Sequence, residues 1–337
     1  MTARLRQGSG GQGRAPTILV CPNAFKETFS PREAARLIAR GLRRALPRAR
    51  LLLMPVADGG DGTLEALRAS IGGRLVSTRV TGPLGTPVRA SYLRSGRTAV
   101  IEMARASGLK LVPPERRDPL VTTSRGTGEL IAHAWRRGAR RLLLGVGGSA
   151  TVDGGRGALE VVTPEMARHV TILCDVENPL LGPRGAAPVF GPQKGATPAK
   201  VRILERRLAG WAAELRRQTG RDIRRVPGSG AAGGLPAALV AFGAKLVRGA
   251  EYILRAAGFP RPCDFVVTGE GCVDRTSLGG KVVGTVIRLS PAPVVLVCGR
   301  CELRRTAFET GSRSAAALVR AAERAGRHIQ ARPRRGR

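Results

Sequence analysis

Aromatic residues supply only 3% of this 337-residue chain, and histidine contributes three positions, His133, His169 and His328. So few aromatic rings leave little surface on which bases stack. The histidines show no metal-ligand spacing. No apolar run approaches the roughly 18 residues of a membrane span; the longest, such as Pro291–Val297, are strand-sized. Residues 1–16 are basic and glycine-containing without an apolar centre, so they read as a disordered basic extension rather than a secretory signal. Residues 331–337 read as a disordered basic tail. The expectation is a soluble, cytoplasmic protein with no membrane partner.

Acidic residues are also scarce, 24 against 57 basic ones, for a formal net charge of +33. Among the basic residues, lysine occurs six times and arginine 51. Such charge attracts polyanions in general. The arginines are nevertheless scattered, and no zinc-finger or basic-zipper pattern is present. A specific nucleic-acid partner is therefore not expected, and a basic surface equally suits small anions. The six cysteines are too sparse for a disulfide scaffold. Cys298-Gly299-Arg300-Cys301 is a CxxC, and with Cys263 and Cys272 it would make four thiolates, but in no zinc-ribbon spacing. Cys21, Cys174 and Cys298 end apolar runs, as buried cysteines do. The GxxxxGK[ST] loop, the protein-kinase motifs and the GxSxG elbow are absent. Gly228–Gly233 fits GxGxxG, but in a chain with 45 glycines about one such match arises by chance.

What is present is a strand–helix alternation. Thr17–Cys21 reads as a strand. Ser30-Pro31-Arg32-Glu33 opens a helix with a capping residue, a first-turn proline and a capping-box glutamate. Strand Leu51–Val56 leads to Asp58–Thr63 and another helix. Residues 74–125 carry short β-runs split by Gly-Pro and Ser-Gly turns, so a more antiparallel module is expected there. Strands at Arg141–Val146, Val170–Cys174, Asp264–Thr268 and Val294–Val297 follow. Helices are expected over 126–137, 198–218, 231–243, 281–289 and 314–329. A parallel α/β sheet is the expected frame.

Polar, glycine-flanked loops recur after the predicted strands, at 22–28, 57–63, 147–155, 175–178 and 269–274. In open α/β sheets that edge binds ligands. Asp58, Asp61, Asp153, Asp175, Glu270 and Asp274 place carboxylates there, able to hold Mg²⁺ or to take a proton from a hydroxyl. Lys26 and Lys281 can neutralise phosphate oxygens. Carboxylates, lysines and glycine loops are what phosphoryl transfer needs, because its catalysis is mostly positioning and charge stabilisation. Each loop, taken singly, is also read as an ordinary Asp-Gly turn.

Taken together, the loops resemble the bacterial-type glycerate kinase family. Cys21–Lys26 is similar to that family's APDSFKGS opening, and Val56–Thr63 to VADGGEGT. Thr81–Gly85, Ile101–Ala104, Thr122–Ser124, Gly126–Ile131, Gly147–Thr151 and Asp153–Gly155 follow in family order. Cys174–Leu180 resembles CDVDNPL. Phe190–Ala196, Gly230–Leu235 and Thr268–Gly271 complete a likeness running from about Thr17 to Leu296. The resemblance implies an α/β fold with a flavodoxin-like parallel-sheet domain over 17–78 and 264–330, and a second α/β domain inserted over 79–263. It implies phosphorylation of D-glycerate by ATP with Mg²⁺, giving 2-phosphoglycerate or, alternatively, the 3-phosphate. Carried over by position, Lys26, Asp58 and Asp153 are the catalytic candidates. Asn23, Gly59, Gly60, Asp61, Gly147, Gly148, Ser149, Asp175, Asn178, Gln193, Lys194, Glu270 and Lys281 are candidates for substrate and nucleotide binding. Asp58 and Asp274 are the candidate magnesium ligands.

The chain departs from the family pattern at several points. Asn23 stands for an aspartate, Glu27 for a glycine, Asp61 for a glutamate and Val152 for an asparagine. Cys272 replaces an arginine and Thr276 a glutamine, and the stretch from Gly157 to Val170 is several tens of residues short. These departures keep two alternatives open. One is a paralogue that binds ligand without turnover, the other a polyanion binder on the same scaffold.

Overall fold

The structure, a computed structural model, describes residues 14–25, 28–60 and 62–332. Its strands in chain order are β1 (Thr17–Val20), β2 (Arg50–Leu53), β3 (Arg74–Thr81), β4 (Pro87–Ser95), β5 (Thr98–Glu102), β6 (Arg141–Gly145) and β7 (Val170–Leu173). Then come β8 (Lys245–Val247), β9 (Phe265–Thr268), β10 (Cys272–Val273), β11 (Val294–Cys298), β12 (Arg300–Cys301) and β13 (Ala307–Glu309).

Two sheets carry the fold. The first runs β2-β1-β9-β11-β13, all parallel. Counted in its own chain order this is 2-1-3-4-5, the flavodoxin-like doubly wound arrangement. The order reverses between β1 and β9, which puts the ligand crevice of such a sheet beyond their carboxyl ends. The second sheet runs β3-β4-β5-β6-β7-β8. Its β3–β4 and β4–β5 pairs are antiparallel and the rest parallel, as the turn-rich sequence after residue 74 suggested. This sheet lies wholly between β2 and β9 in the chain, and its first strand starts at Arg74, a few residues before the expected boundary at 78.

Helices Thr63–Ile71, Gly249–Ala256 and Val282–Leu289 join the sheets. Leu64, Leu67, Ile253, Leu254, Val282 and Val286 pack in one apolar cluster with Leu19 and Val266 of the first sheet and Val100, Leu143 and Leu173 of the second. Burying these side chains contributes roughly 1.5–3 kcal/mol each. The shared core fixes the loop edges of the two sheets relative to each other. On the far face of the first sheet, helix Pro31–Ala45 begins with the expected capping box, Ser30 Oγ accepting from Glu33 N while Glu33 accepts from Ser30 N. Its Ile38 and Leu42 pack against Leu318, Ala322 and Ala325 of the last helix, Ala315–Ala331.

The connection from β6 to β7 holds only two short helices, Arg156–Leu159 and Pro164–Arg168. The strands on either side still pair, Leu142 with Val170 through Gly145 with Leu173. The short connection therefore leaves β6 and β7 as direct parallel neighbours. The helix expected over 231–243 is shorter, Leu235–Ala241. Ahead of it Ala232, Gly233 and Gly234 all have positive φ, and a Cβ on Gly233 would lie 1.9 Å from Thr151 O. The three-residue β8 and the helix after it were not read from the sequence. Arg14–Pro16, inside the expected extension, is described, and Pro16 O accepts from Arg50 N of β2. At the other end Ala331 still belongs to the last helix. Residues 1–13 and 333–337, where the remaining disorder was expected, lie outside the described residues.

Candidate active site

The site forms where the carboxyl edges of the two sheets meet. Asn23 follows β1 and Gly269 follows β9, on either side of the order reversal, and Asn23 N donates to Gly269 O at 2.9 Å. The loop after β2 crosses toward the second sheet. Gly147 N donates to Gly59 O at 3.1 Å. A Cβ on Gly59 would lie 2.4 Å from Leu173 O, and one on Gly147 would lie 2.5 Å from Gly60 Cα. Only glycine permits this backbone-to-backbone approach, and the positive φ of Gly59 adds to the requirement.

Glu102, at the end of β5, pins the same loop from the other side. Its Oε1 accepts from Gly62 N at 3.1 Å and Leu64 N at 2.9 Å, and its Oε2 accepts from Arg105 Nε at 2.7 Å. Burial pushes its carboxyl above the usual range, while these bonds and Arg105 work the other way.

Two carboxylates come together at this edge. Asp58 Oδ2 accepts from Asn23 Nδ2 at 3.3 Å and Oδ1 from Gly60 N at 3.2 Å. Asp175 Oδ2 accepts from Ala250 N, in the first turn of helix Gly249–Ala256, at 2.9 Å. Its Oδ1 is sealed from solvent with no hydrogen-bond partner among the described residues. Burial, with the charge of Asp58 adding to it, pushes the Asp175 carboxyl up to about 7. A sealed, unpartnered carboxylate oxygen beside a second carboxylate fits a hard cation, and Mg²⁺ is commonly held by one or two carboxylates plus substrate phosphates.

Cations approach the same place. Arg248, between β8 and helix Gly249–Ala256, donates to Glu177 Oε1 at 2.9 Å. A Cβ on Gly280 would lie 2.7 Å from Arg248 Nη1, so this arginine spans the 177 and 280 loops. Lys281 Nζ donates to Thr276 Oγ1 at 2.8 Å, and Thr276 Oγ1 donates to Asp274 Oδ1 at 2.7 Å. Asp274 caps the short helix Arg275–Leu278. The Thr276 hydroxyl is the main reason its carboxyl sits below the ordinary value. The carboxylate that feels Asp58 is thus Asp175, and Asp274 is engaged locally. Glu270 is buried in the loop after β9.

A second group lies under the loop after β6. Lys194 is 2% exposed, and its Nζ donates to Ser149 Oγ at 2.7 Å and Thr151 O at 2.8 Å. Burial pulls its amine down to about 7, against the favourable charge of Asp153. Asp153 accepts from Ser124 N and Oγ, Gly155 N and Gly157 N at 2.7–3.2 Å. Both side chains hold the Gly147–Gly157 region together from inside. Asn178 donates to Arg184 O in its own loop, and Gln193 is exposed on the short 3-10 helix Pro192–Lys194. Gly148, at positive φ, accepts from Leu109 N at 2.9 Å through its carbonyl. Lys26, Glu27 and Asp61 lie outside the described residues.

Sequence reasoning missed two contributors. Arg248 follows a strand too short to show periodicity. Glu102 stands in a quoted block, Ile101–Ala104, but the bond it makes across to another loop leaves no local pattern. The four-cysteine zinc set does not assemble: Cys263 raises the Cys21 thiol on the first sheet, while Cys298 feels Cys301 and Cys272. Among the described residues no group of three or more histidine, cysteine or acidic residues is placed to hold a metal. No helix there is long and apolar enough to cross a membrane.

The model of the glycerate kinase family matches residues 18–169 and 159–334. The two matched blocks overlap within the stretch that looked short in sequence. The chain is 40% identical to the glycerate kinase of Halalkalibacterium halodurans, over 90% of each chain. It is 41% identical to the glycerate 2-kinase of Escherichia coli K12, over 84% of each. That alignment spans 322 positions against 84% of this chain, so the relative carries residues that this chain lacks. Among solved structures, a protein of Salmonella typhimurium LT2 assigned as glycerate kinase 2 superposes with a TM-score of 0.75. It is 36% identical, and the match covers 94% of this chain and 98% of that one.

Proposed function

We infer the reaction from one premise: this chain belongs to the glycerate kinase family. We propose that it transfers the γ-phosphoryl group of ATP to the C2 hydroxyl of D-glycerate, giving 2-phosphoglycerate and ADP. The observation that supports this most directly is the Asp58–Asp175 pair where the loop edges of the two sheets meet. Two carboxylates, one with a sealed and unpartnered oxygen, suit a divalent cation that accompanies nucleotide phosphates. The E. coli relative's name, glycerate 2-kinase, favours the C2 position.

In this reading Asp58 and Asp175 would hold Mg²⁺, which when bound shields phosphate charge. Arg248 and Lys281 neutralise anionic oxygens on the nucleotide or the substrate carboxylate, and Lys26 does so by its place in the opening motif. Glu102 fixes the loop that carries Asp58. Asp153 and Lys194 keep the Gly147–Thr151 loop in register with Gly59 and Gly60, so they act as positioning residues. Catalysis then rests on orientation and charge, as phosphoryl transfer does generally.

Phosphorus NMR tests both the acceptor and the position. A phosphate on C2 couples to one proton and appears as a doublet, whereas a phosphate on C3 couples to two and appears as a triplet. Incubation with ATP, Mg²⁺ and D-glycerate is expected to give the doublet. A triplet overturns the C2 assignment, and no phosphoglycerate at all overturns the proposed reaction.

A further inference from the structure

Where β11 of the first sheet turns into β12 of the small β10–β12 sheet lies a thiol pair that phosphoryl transfer does not use. Cys298 ends β11 and is fully buried, and Cys301 on β12 is partly exposed. Both sit in a small apolar cluster with Val273, Val283 and Leu296. Cys301 Sγ donates to Leu303 O at 3.7 Å, and Cys298, three residues back across the bend at Gly299, packs in the same cluster. The third nearby cysteine, Cys272, is exposed on β10, where it stands opposite Arg300 rather than Cys301.

The segment that carries the pair is laced to the loop after β9. Gly299 N donates to Glu270 O at 3.1 Å, Arg300 N to Gly271 O at 3.0 Å and Glu302 N to Val273 O at 2.8 Å. A Cβ on Gly299 would lie 2.2 Å from Gly271 O, so the two backbones have no slack between them. That loop in turn receives Asn23 N at Gly269 O, and Asn23 donates to Asp58.

We propose that Cys298 and Cys301 form a disulfide when the protein meets a low-molecular-weight disulfide, and that this bond displaces the 269–274 loop and lowers turnover. The effect on turnover rests on the kinase reading above; formation of the bond does not. The exchange runs in two steps. The Cys301 thiolate attacks one sulfur of the small disulfide, forms a mixed disulfide and expels one small thiolate. Cys298 then attacks the Cys301 sulfur and expels the second small thiolate, which takes up the Cys298 proton as it leaves. Two protein thiols are oxidised, and one small disulfide is reduced to two thiols. Accessibility assigns the order: Cys301 meets solvent and Cys298 does not. Burial also raises the Cys298 thiol, which keeps it protonated until Cys301 has reacted. Joining the two sulfurs by a bond of about 2.05 Å moves the CGRC segment, and its hydrogen bonds carry the 269–273 backbone with it.

The test treats the full-length protein with oxidised glutathione, blocks the remaining thiols and digests with trypsin without reductant. Cleavage after Arg300 separates the two cysteines, so peptides 289–300 and 301–304 stay together only if the disulfide has formed. The linked pair is expected, together with changed amide exchange over 269–274 and a fall in ADP release by on the order of 10- to 100-fold, all reversed by dithiothreitol. Cys301→Ser is expected to keep reduced-state activity within about twofold and to lose the response. Cys298→Ala is expected to stop at the mixed disulfide. Linkage through Cys272, or no linkage, overturns the assignment. A linked pair with unchanged exchange over 269–274 overturns its coupling to the site. A reduced protein that releases no ADP counts against the kinase reading, and the peptides and the exchange still decide this proposal.

Discussion

Replacing Lys194 by methionine should separate stability from turnover. The wild-type amine lies under the Gly147–Thr151 loop, and burial pulls it from 10.5 to about 7. Each pH unit between those values is worth ~1.4 kcal/mol, so at pH 7 burying this amine costs on the order of 4 kcal/mol. Methionine removes that cost but leaves Ser149 Oγ and Thr151 O without their donor, at roughly 1–3 kcal/mol each. The two effects nearly cancel, and Lys194→Met is expected to lie within about 2 kcal/mol of wild type at pH 7. The pH dependence is the sharper readout. Between about 7 and 10.5 the unfolded chain holds a proton on Lys194 that the folded chain lacks. Stability from this group therefore rises with pH across that window, and it is lost as pH falls toward 7. Urea unfolding of both proteins from pH 7 to 9, followed by Trp211 fluorescence, reads the difference. Trp211 Nε1 donates to Gly154 O at 2.9 Å, close to the affected loop. The buried cysteines titrate in both proteins, so their contribution cancels. Wild type should gain on the variant by ~1.4 kcal/mol per pH unit, while the variant loses most of its turnover. A difference that does not change with pH would refute the reasoning.

Asp175→Asn should stabilise the fold and, like Lys194→Met, lower turnover. The carboxyl titrates near 3.8 when unfolded and at about 7 when folded, so its contribution to stability falls as pH rises from about 4 to 7. At pH 8 without metal, the variant is expected to melt roughly 2–8 °C above wild type with turnover lost; a lower melting temperature would contradict the buried-charge account. Gly147→Ala puts a Cβ 2.5 Å from Gly60 Cα, backbone against backbone. It should cost about 1–3 kcal/mol and, by moving the Asp58 loop about 1 Å, lower kcat/KM on the order of 100-fold; wild-type kinetics would show that the loops need not touch.

Much of the frame was legible because it is local. The Ser30–Glu33 cap, the β-rich runs ending at Cys21 and Thr268, and the turn-split strands after residue 74 each carry their own signal over a few residues. That the glycine and aspartate loops share one edge followed from the rule that loops after parallel strands leave from the same side of the sheet. What stayed hidden depends on distant partners. β8 exists because Lys245–Val247 pairs with Thr171–Leu173, and three residues show no period. Asp58 and Asp175 are 117 positions apart in the chain, and the coupling of the pair depends on sheet packing. Lys194 was carried over by position as a candidate for substrate and nucleotide binding; that its amine points inward to Ser149 and Thr151 is a tertiary fact. The helix expected from 231 misread Gly233 and Gly234, whose alanine-rich surroundings suggested helix while close approach to Thr151 requires a turn.

The measurement that tests the central claim most directly is coupled ADP release with ATP, Mg²⁺ and D-glycerate, comparing wild type with Asp58→Asn and Asp175→Asn. L-glycerate and glycerol serve as controls. Wild type should turn over D-glycerate selectively, and each variant should fall on the order of 100-fold or more while remaining folded by tryptophan fluorescence. Folded variants that keep wild-type rates would contradict the assignment of the carboxylate pair, and a wild type that releases ADP equally with every acceptor would contradict the proposed substrate.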